Sequence, residues 1–312
     1  MRLHLAALAS GFYAFLAGCG GSQRSSGHVE PTIQVLDAGS EPRQRLHYDL
    51  AENASERMEL TFKLRINSAY TNTVLETAHR SADFPTIKNT VRIEVTDIGA
   101  DGTMTVNSIV EDVAVLDDVV DATMRKTVEV EANAMRRWQR SWRMTRSGRI
   151  SDIKASAPND SAAARAQLSN VVETVRESAV IFPDQPLGVG ARWQVTSRYV
   201  ASGVTWERAT TYRLKALTDL AATVDAKISM HADSQPLSVE PNATTRLTSA
   251  TSNASAELVV PLHSLVATAT SHGTSEMNLL VVRGHLRFAS SVQTEAISSM
   301  RPVTAAAPRS GR

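Results

Sequence analysis

The chain has 312 residues, 42% hydrophobic and 21% charged, the proportions of an ordinary folded protein and not of a disordered or collagen-like one. Its formal net charge of +1 lacks the concentrated basic excess that a nucleic-acid partner requires. The single cysteine, Cys19, excludes an intrachain disulfide and a zinc–thiolate cluster.

Residues 1–18, MRLHLAALASGFYAFLAG, set Arg2 before a run of apolar and small residues from Leu3 to Leu16. That is the layout of a secretory signal, and the run is shorter than the ~20 residues a membrane-spanning helix needs. It ends in Leu16-Ala17-Gly18-Cys19, which resembles the lipobox of bacterial lipoproteins. The resemblance covers only this N-terminal segment. It implies a diacylglyceryl group on the Cys19 sulfur, cleavage before Cys19, and a membrane partner reached through the lipid. Two or more acyl chains hold a protein stably at a membrane where one does not. Gly20 stands where, in the enterobacterial sorting rule, aspartate marks retention at the inner membrane. The resemblance therefore points to the outer membrane, facing the periplasm.

From Cys19 to residue 44 glycine, serine and proline abound and apolar periodicity is weak, which reads as a flexible tether. Residues 45–300 then read as an antiparallel β-rich domain, and 301–312 as a disordered tail. Whether the domain divides into two similar halves near 155–190 stays open. Arg57–Ile66 alternates strictly, with Met58, Leu60, Phe62, Leu64 and Ile66 against polar neighbours. Such a period of two predicts a strand with one buried face. Val91, Ile93 and Val95 repeat the pattern, Asp97–Gly102 supplies turn residues, and Met104 and Val106 resume it. This predicts a hairpin. The apolar phase then moves to Ile109, Val113 and Val115, which predicts a β-bulge near Asn107–Ser108.

Asp118–Met135 can be read as a helix, although its TVEVEA segment also alternates like a strand. Asp160–Ala179 is the clearer helix: an Asp160/Ser161 cap precedes an apolar stripe of Ala164, Leu168, Val171, Val172, Val175 and Ala179. Beyond it, alternation predicts strands through Trp193–Tyr199, Val204–Leu214 and Val224–Met230. Shorter strands are expected at Glu257–Val260, His263–Thr270, Glu276–Val282 and His285–Ala289. The fold class that follows is mainly β: a curved antiparallel sheet, cradle or sandwich, with one or two helices packed on it. The arrangement resembles the lipoprotein-carrier-like cradles of bacterial envelopes, a resemblance of architecture that transfers no site. Gly190-Ala191-Arg192-Trp193 is also similar to a G-x-x-W element of uncharacterised β-rich lipoproteins, where it opens a strand.

No catalytic or cofactor motif is complete. Ser151-Asp152-Ile153-Lys154 matches S-x-x-K, but its S-D-N and K-T-G partners are missing from the sequence. Counted from Asp97, the twelfth position of a calcium loop would be Ser108 and not glutamate. Glu111, Asp112, Asp117, Asp118 and Asp121 cluster in sequence, as solvated carboxylates commonly do. The eight histidines are scattered, with no pair at metal-binding helical spacing.

The segment Arg136–Arg149 is the best candidate for a ligand-facing surface. As a strand it sets Arg136, Trp138, Arg140 and Trp142 on one face. Tryptophans interleaved with arginines form a stacking and anion-binding platform, for a lipid head group or acidic glycan in an envelope protein. The competing account buries the tryptophans in the core and lets the arginines snorkel to water. The functional expectation is a non-catalytic, lipid-anchored envelope protein binding an apolar or amphiphilic ligand, or an envelope partner. Two alternatives are an assembly accessory acting through protein contacts, and a hydrolase with a site assembled from distant residues.

Overall fold

The computed structural model describes residues 29–72, 77–116, 121–158, 172, 174–176, 178–201, 203–237 and 244–303. Residues 1–28, with Cys19 and the expected signal, and most of the helix expected over Asp160–Ala179 lie outside the described residues. Val172 and residues 174–176 of that segment are helical.

The first strands are β1 (Val29–Asp37), β2 (Ser55–Asn72), β3 (Ala78–Asp83), β4 (Ile87–Ile98) and β5 (Met104–Val115). Helix α1 (Ala122–Ala134) precedes β6 (Gln139–Met144) and β7 (Ile150–Ser156). There follow β8 (Arg192–Ala201), β9 (Val204–Leu217), β10 (Ala221–Ala232) and β11 (Gln235–Leu237). The last three, β12 (Thr244–Pro261), β13 (Thr268–Arg283) and β14 (Leu286–Pro302), are long.

All of these strands belong to one open antiparallel sheet, ordered β1-β8-β9-β10-β12-β13-β14-β2-β4-β5-β6-β7, with β3 and β11 as short additions to β2 and β12. Two meanders thus meet at a seam where the last strand pairs with β2. The seam runs without a register shift from Phe288 opposite Asn72 to Pro302 opposite Met58. Its in-phase inward residues, Leu60, Leu64 and Ile66 against Met300, Ala296 and the buried Thr294, fix which face turns inward.

Trp193, Leu214 and Val224 from one meander share a single core with Val91, Val106 and Trp142 from the other. The sheet therefore curls until the inner faces of its two ends meet. On β2 the outward face is polar: Glu59, Thr61, Lys63 and Arg65 alternate with its core residues. That is the reverse of the apolar-out pattern of membrane-spanning strands. Among the described residues no helix is long and apolar enough to cross a membrane.

Three points differ from the sequence reading. The span 19–44 is not tether throughout, because Ile33 and Val35 pair with Val195 and Trp193 in the sheet. At the other terminus β14 runs to Pro302, and the Val303 N–H donates to Arg57 O at 2.8 Å, so the expected tail begins too early at 301. The bulge lies at Glu111, between the pairs Thr90/Asp112 and Val91/Val110, and not at Asn107–Ser108. Ser108 consequently keeps the inward phase and is buried. Of the two readings of TVEVEA the helical one holds: Asp121 caps α1, accepting from the Thr123 and Met124 N–H groups at 2.8 and 3.0 Å. Val128 and Ala132, four apart, are buried, whereas Val130 is 66% exposed; its alternation carries no burial.

One end of the curled sheet is plugged by residues 46–50 and 180–191. Leu46, Tyr48 and Leu50 are buried, and Tyr48, Phe182, Trp193 and Tyr212 form a chain of rings with centroids 5.5, 6.2 and 5.2 Å apart. Arg149, in the β6–β7 turn, donates to Pro31 O at 3.0 Å, so the open edges of the sheet approach each other here. The Tyr48 hydroxyl donates to Val180 O at 3.2 Å. Burial, and then the neighbouring Tyr212 phenol, push the Tyr48 pKa well above the usual tyrosine range, against the opposing effect of that bond. A raised folded pKa means the contribution is complete below about pH 10, where unfolded tyrosine stays neutral, and is lost as pH rises further. Tyr48→Phe is therefore expected to lower stability by about 1 kcal/mol at pH 8. The deficit should close toward pH 11 in urea titrations of the two proteins, because the phenylalanine variant lacks this alkaline loss.

Candidate functional site: the inner face of β6

Strand β6 lies between β5 and the edge strand β7. Its register sets Arg140 opposite Ser108, Trp142 opposite Val106, and Met144 opposite Met104. Trp138 precedes the strand and continues the same alternation, its carbonyl accepting from Val110 N–H at 3.0 Å. Trp138, Arg140 and Trp142 therefore share the inner face, as period two predicts. Arg136 does not join them. It sits in the turn after α1, pairs with Asp112 at 2.9 Å and donates to Val113 O at 3.0 Å. Arg137, at φ 66°, redirects the chain between turn and strand.

Trp138 and Trp142 are buried, at 2% and 6% exposure, which matches the core account of these residues. Arg140 departs from that account in part: the residue as a whole is half-buried and borders solvent, but the inner end of its guanidinium does not. Its Nε is fully enclosed and has no hydrogen-bond partner among the described residues, and neither do the indole N–H groups of Trp138 and Trp142. Burial pulls the Arg140 guanidinium down to about 10. Trp193 shows the contrast. It is wholly buried and its indole N–H donates to Ile181 O at 2.9 Å. This protein satisfies a structural tryptophan, and buried donors are normally satisfied.

Sequence reasoning missed Ser108 and Asn89. Both occupy inward positions, on β5 and β4, and the Asn89 Oδ1 is another buried atom without a described partner. A polar residue in the apolar phase of an alternating strand is the signal that marks Ser108. Farther along the inner face, β12, β13 and β14 present Ser252, Ala254, Ser271, Gly273, Ser275, Ala296 and Ser298, all half-buried. Beyond this band a second apolar cluster gathers Tyr199, Trp206 and Leu247.

β6 also borders an open groove of about 430 Å³, whose lining includes Arg140 and Ser108 together with Arg92, Glu94, Asn107 and Lys154. Arg92 there is paired with Glu94 and Glu111, at 3.1 and 3.2 Å. The remaining sequence candidates separate in space. Of the acidic cluster, Glu111 binds Arg57 and Arg92, Asp112 binds Arg136, and Asp121 caps α1; Asp117 and Asp118 lie outside the described residues. Ser151 and Lys154 are exposed on edge strand β7, not at a helix start. Asp97–Gly102 is a turn, closed by the Gly99 and Gly102 N–H groups and by the Asp101 carboxylate accepting from Thr103. His231, His263 and His272 sit beside Glu207, Asp49 and Glu295 on the surface. Among the described residues no group of three ligands could hold a metal, and no serine hydroxyl is bonded to a histidine.

No family model matches the chain, and neither does any curated protein. Among solved structures it is similar to Acinetobacter baumannii OccAB4, at 8% identity over 81% of this chain and 99% of that one, with a TM-score of 0.17. A likeness that low carries no argument about fold or function.

Proposed function

We propose that this chain is a non-catalytic binding protein, anchored in the bacterial envelope through lipid on Cys19 and facing the periplasm, that holds an amphiphile against the inner face of its sheet. The observation that carries the reading is the set of buried N–H donors on Trp138, Arg140 and Trp142, along β6 and the residue before it, without described acceptors. Leaving such groups unpaired costs roughly 1–3 kcal/mol each, so a fold keeps them where something outside the protein completes them. The band of short side chains on β12–β14, separated from β6 by β2, β4 and β5 along the same sheet, supports the reading, since it leaves that part of the inner face half-exposed. The lipobox resemblance supports the address.

Native mass spectrometry of the protein extracted from membranes in nonionic detergent tests both halves. The expected spectrum shows a covalent mass increase from lipidation, absent in Cys19→Ser, and a non-covalent amphiphile released on activation. A protein of unmodified mass with nothing bound would overturn the proposal.

A further inference from the structure

Every unpartnered nitrogen on the inner face of β6 is a donor, and one belongs to a fixed cation. The protein offers that cation no counter-charge among the described residues. Glu94, Glu111 and Asp112 on the neighbouring strands are committed to Arg92, Arg57 and Arg136. Glu131, on the helix packed over β5, is held toward its neutral form by burial and makes no ion pair with Arg140. Ser108 is the register partner of Arg140 on β5, and both line the same groove. Around these groups stand Val91, Val106, Val110 and Met144, all buried. A half-buried cation bordered on one side by apolar side chains and N–H donors, and open on the other to a groove, is matched by an anion that brings its own apolar body.

We infer that Arg140, the indole N–H groups of Trp138 and Trp142, and the Ser108 hydroxyl form the head-group subsite for an amphiphile bearing one anionic group, a carboxylate or a phosphate monoester on an alkyl chain. The inference rests on the amphiphile reading above and adds the charge and position of the head group. It explains why an arginine occupies an inward position of a core strand, where a leucine would serve packing alone. It also explains why two large indoles flank it with their nitrogens unsatisfied. Trp138 and Trp142 lie two residues to either side of Arg140 on the same face, a spacing of about 6.8 Å along a strand. An anion seated over Arg140 is within reach of both side chains.

The test is a tryptophan-emission titration of the full chain in nonionic detergent with dodecanoate, dodecyl phosphate, dodecanol and inorganic phosphate. At least one of the two alkyl anions is expected to bind about 10- to 100-fold more tightly than dodecanol, the range of a charge-assisted hydrogen bond. The stronger of the two identifies the head group as carboxylate or phosphate. Inorganic phosphate, lacking the chain, is expected to bind far more weakly than dodecyl phosphate. Arg140→Met should bring the anion-to-alcohol ratio close to one, Arg140→Lys should keep part of it, and Arg140→Met should melt no lower than wild type. Dodecanol binding as tightly as both anions would overturn the head-group assignment and leave the amphiphile reading standing. Failure of all three alkyl compounds to bind would overturn that reading as well. An Arg140→Met protein that melts well below wild type would also overturn the inference, because the guanidinium would then be held by the protein itself.

Discussion

Replacing Gly148 by alanine is expected to destabilise the protein by about 3–5 kcal/mol, more than most single-methyl additions. Two separate costs combine. Gly148 adopts φ 89°, in the left-handed region where a non-glycine residue costs about 1–3 kcal/mol. Its added Cβ would also press into Val180 O and the Tyr48 ring, and forcing atoms into a packed interior costs about 1–3 kcal/mol more. Neither neighbour can yield cheaply. Val180 O accepts the Tyr48 hydroxyl, and Phe182 N–H next to it donates to Ser147 O at 2.8 Å. The contact is the joint through which the β6–β7 turn, the 180–182 segment and the plug at 46–50 hold one another. Gly284 provides the control: it has φ 60° in the β13–β14 turn, and a Cβ there would meet nothing. Gly284→Ala should cost about 1 kcal/mol, the strain alone. In urea unfolding, with a slope of about 2–3 kcal/mol per molar, the Gly148→Ala midpoint should fall by about 1–2 M. A midpoint shift no larger than that of Gly284→Ala would show that the turn and the plug are not packed as described.

The strands of the first meander were legible because their apolar side chains are large. Met58 to Ile66 and Val91 to Val95 announce their inward face by alternation, and the structure buries or half-buries each of them. The length of β12 and β13 was not legible. LTSATSNASAEL alternates only between small and polar residues, so a hydrophobic count sees little until Leu258. Their strand geometry is imposed by pairing on both sides, β12 with β10 and β13, and β13 with β14. Tertiary pairing overrides weak local preference in such strands. β1 was hidden for the opposite reason. Its two inward residues, Ile33 and Val35, sit in a glycine-, serine- and proline-rich context that reads as linker.

The candidate site was half legible. Alternation placed Trp138, Arg140 and Trp142 on one face correctly, but it extended that face one step too far, to Arg136. The chain leaves α1 through a turn before β6 begins, and the positive φ at Arg137 breaks the alternation. Ser108 was obscured by Ile109 and Glu111. An apolar residue at an outward position imitated a change of phase, while the extra residue that shifts the phase lay two positions farther on. Sequence patterns report the average face of a strand. The residues that break the pattern need the partner strand to be placed.

The tryptophans separate packing from binding most sharply. Trp193→Ala is expected to cost about 3–5 kcal/mol, the usual range for deleting a large buried aromatic. The ring is wholly buried between Phe182 and Tyr212, stacked on the latter at 5.2 Å with 22° between planes. Trp193→Phe keeps much of that packing but leaves the buried Ile181 carbonyl without its donor, and should cost about 1–3 kcal/mol. Trp142→Phe gives the informative comparison. It removes an indole N–H that has no partner among the described residues, so it forfeits packing volume alone. Its cost in ligand-free protein should fall below that of Trp193→Phe by about 1 kcal/mol. Thermal unfolding reads the difference as about 2 °C for a chain of this size. The order should reverse for binding: Trp142→Phe weakens the anionic amphiphile, whereas Trp193→Phe leaves its affinity unchanged. If Trp142→Phe destabilised the ligand-free fold as much as Trp193→Phe does, its indole nitrogen would have to be bonded within the protein, and β6 would be core strand and nothing more.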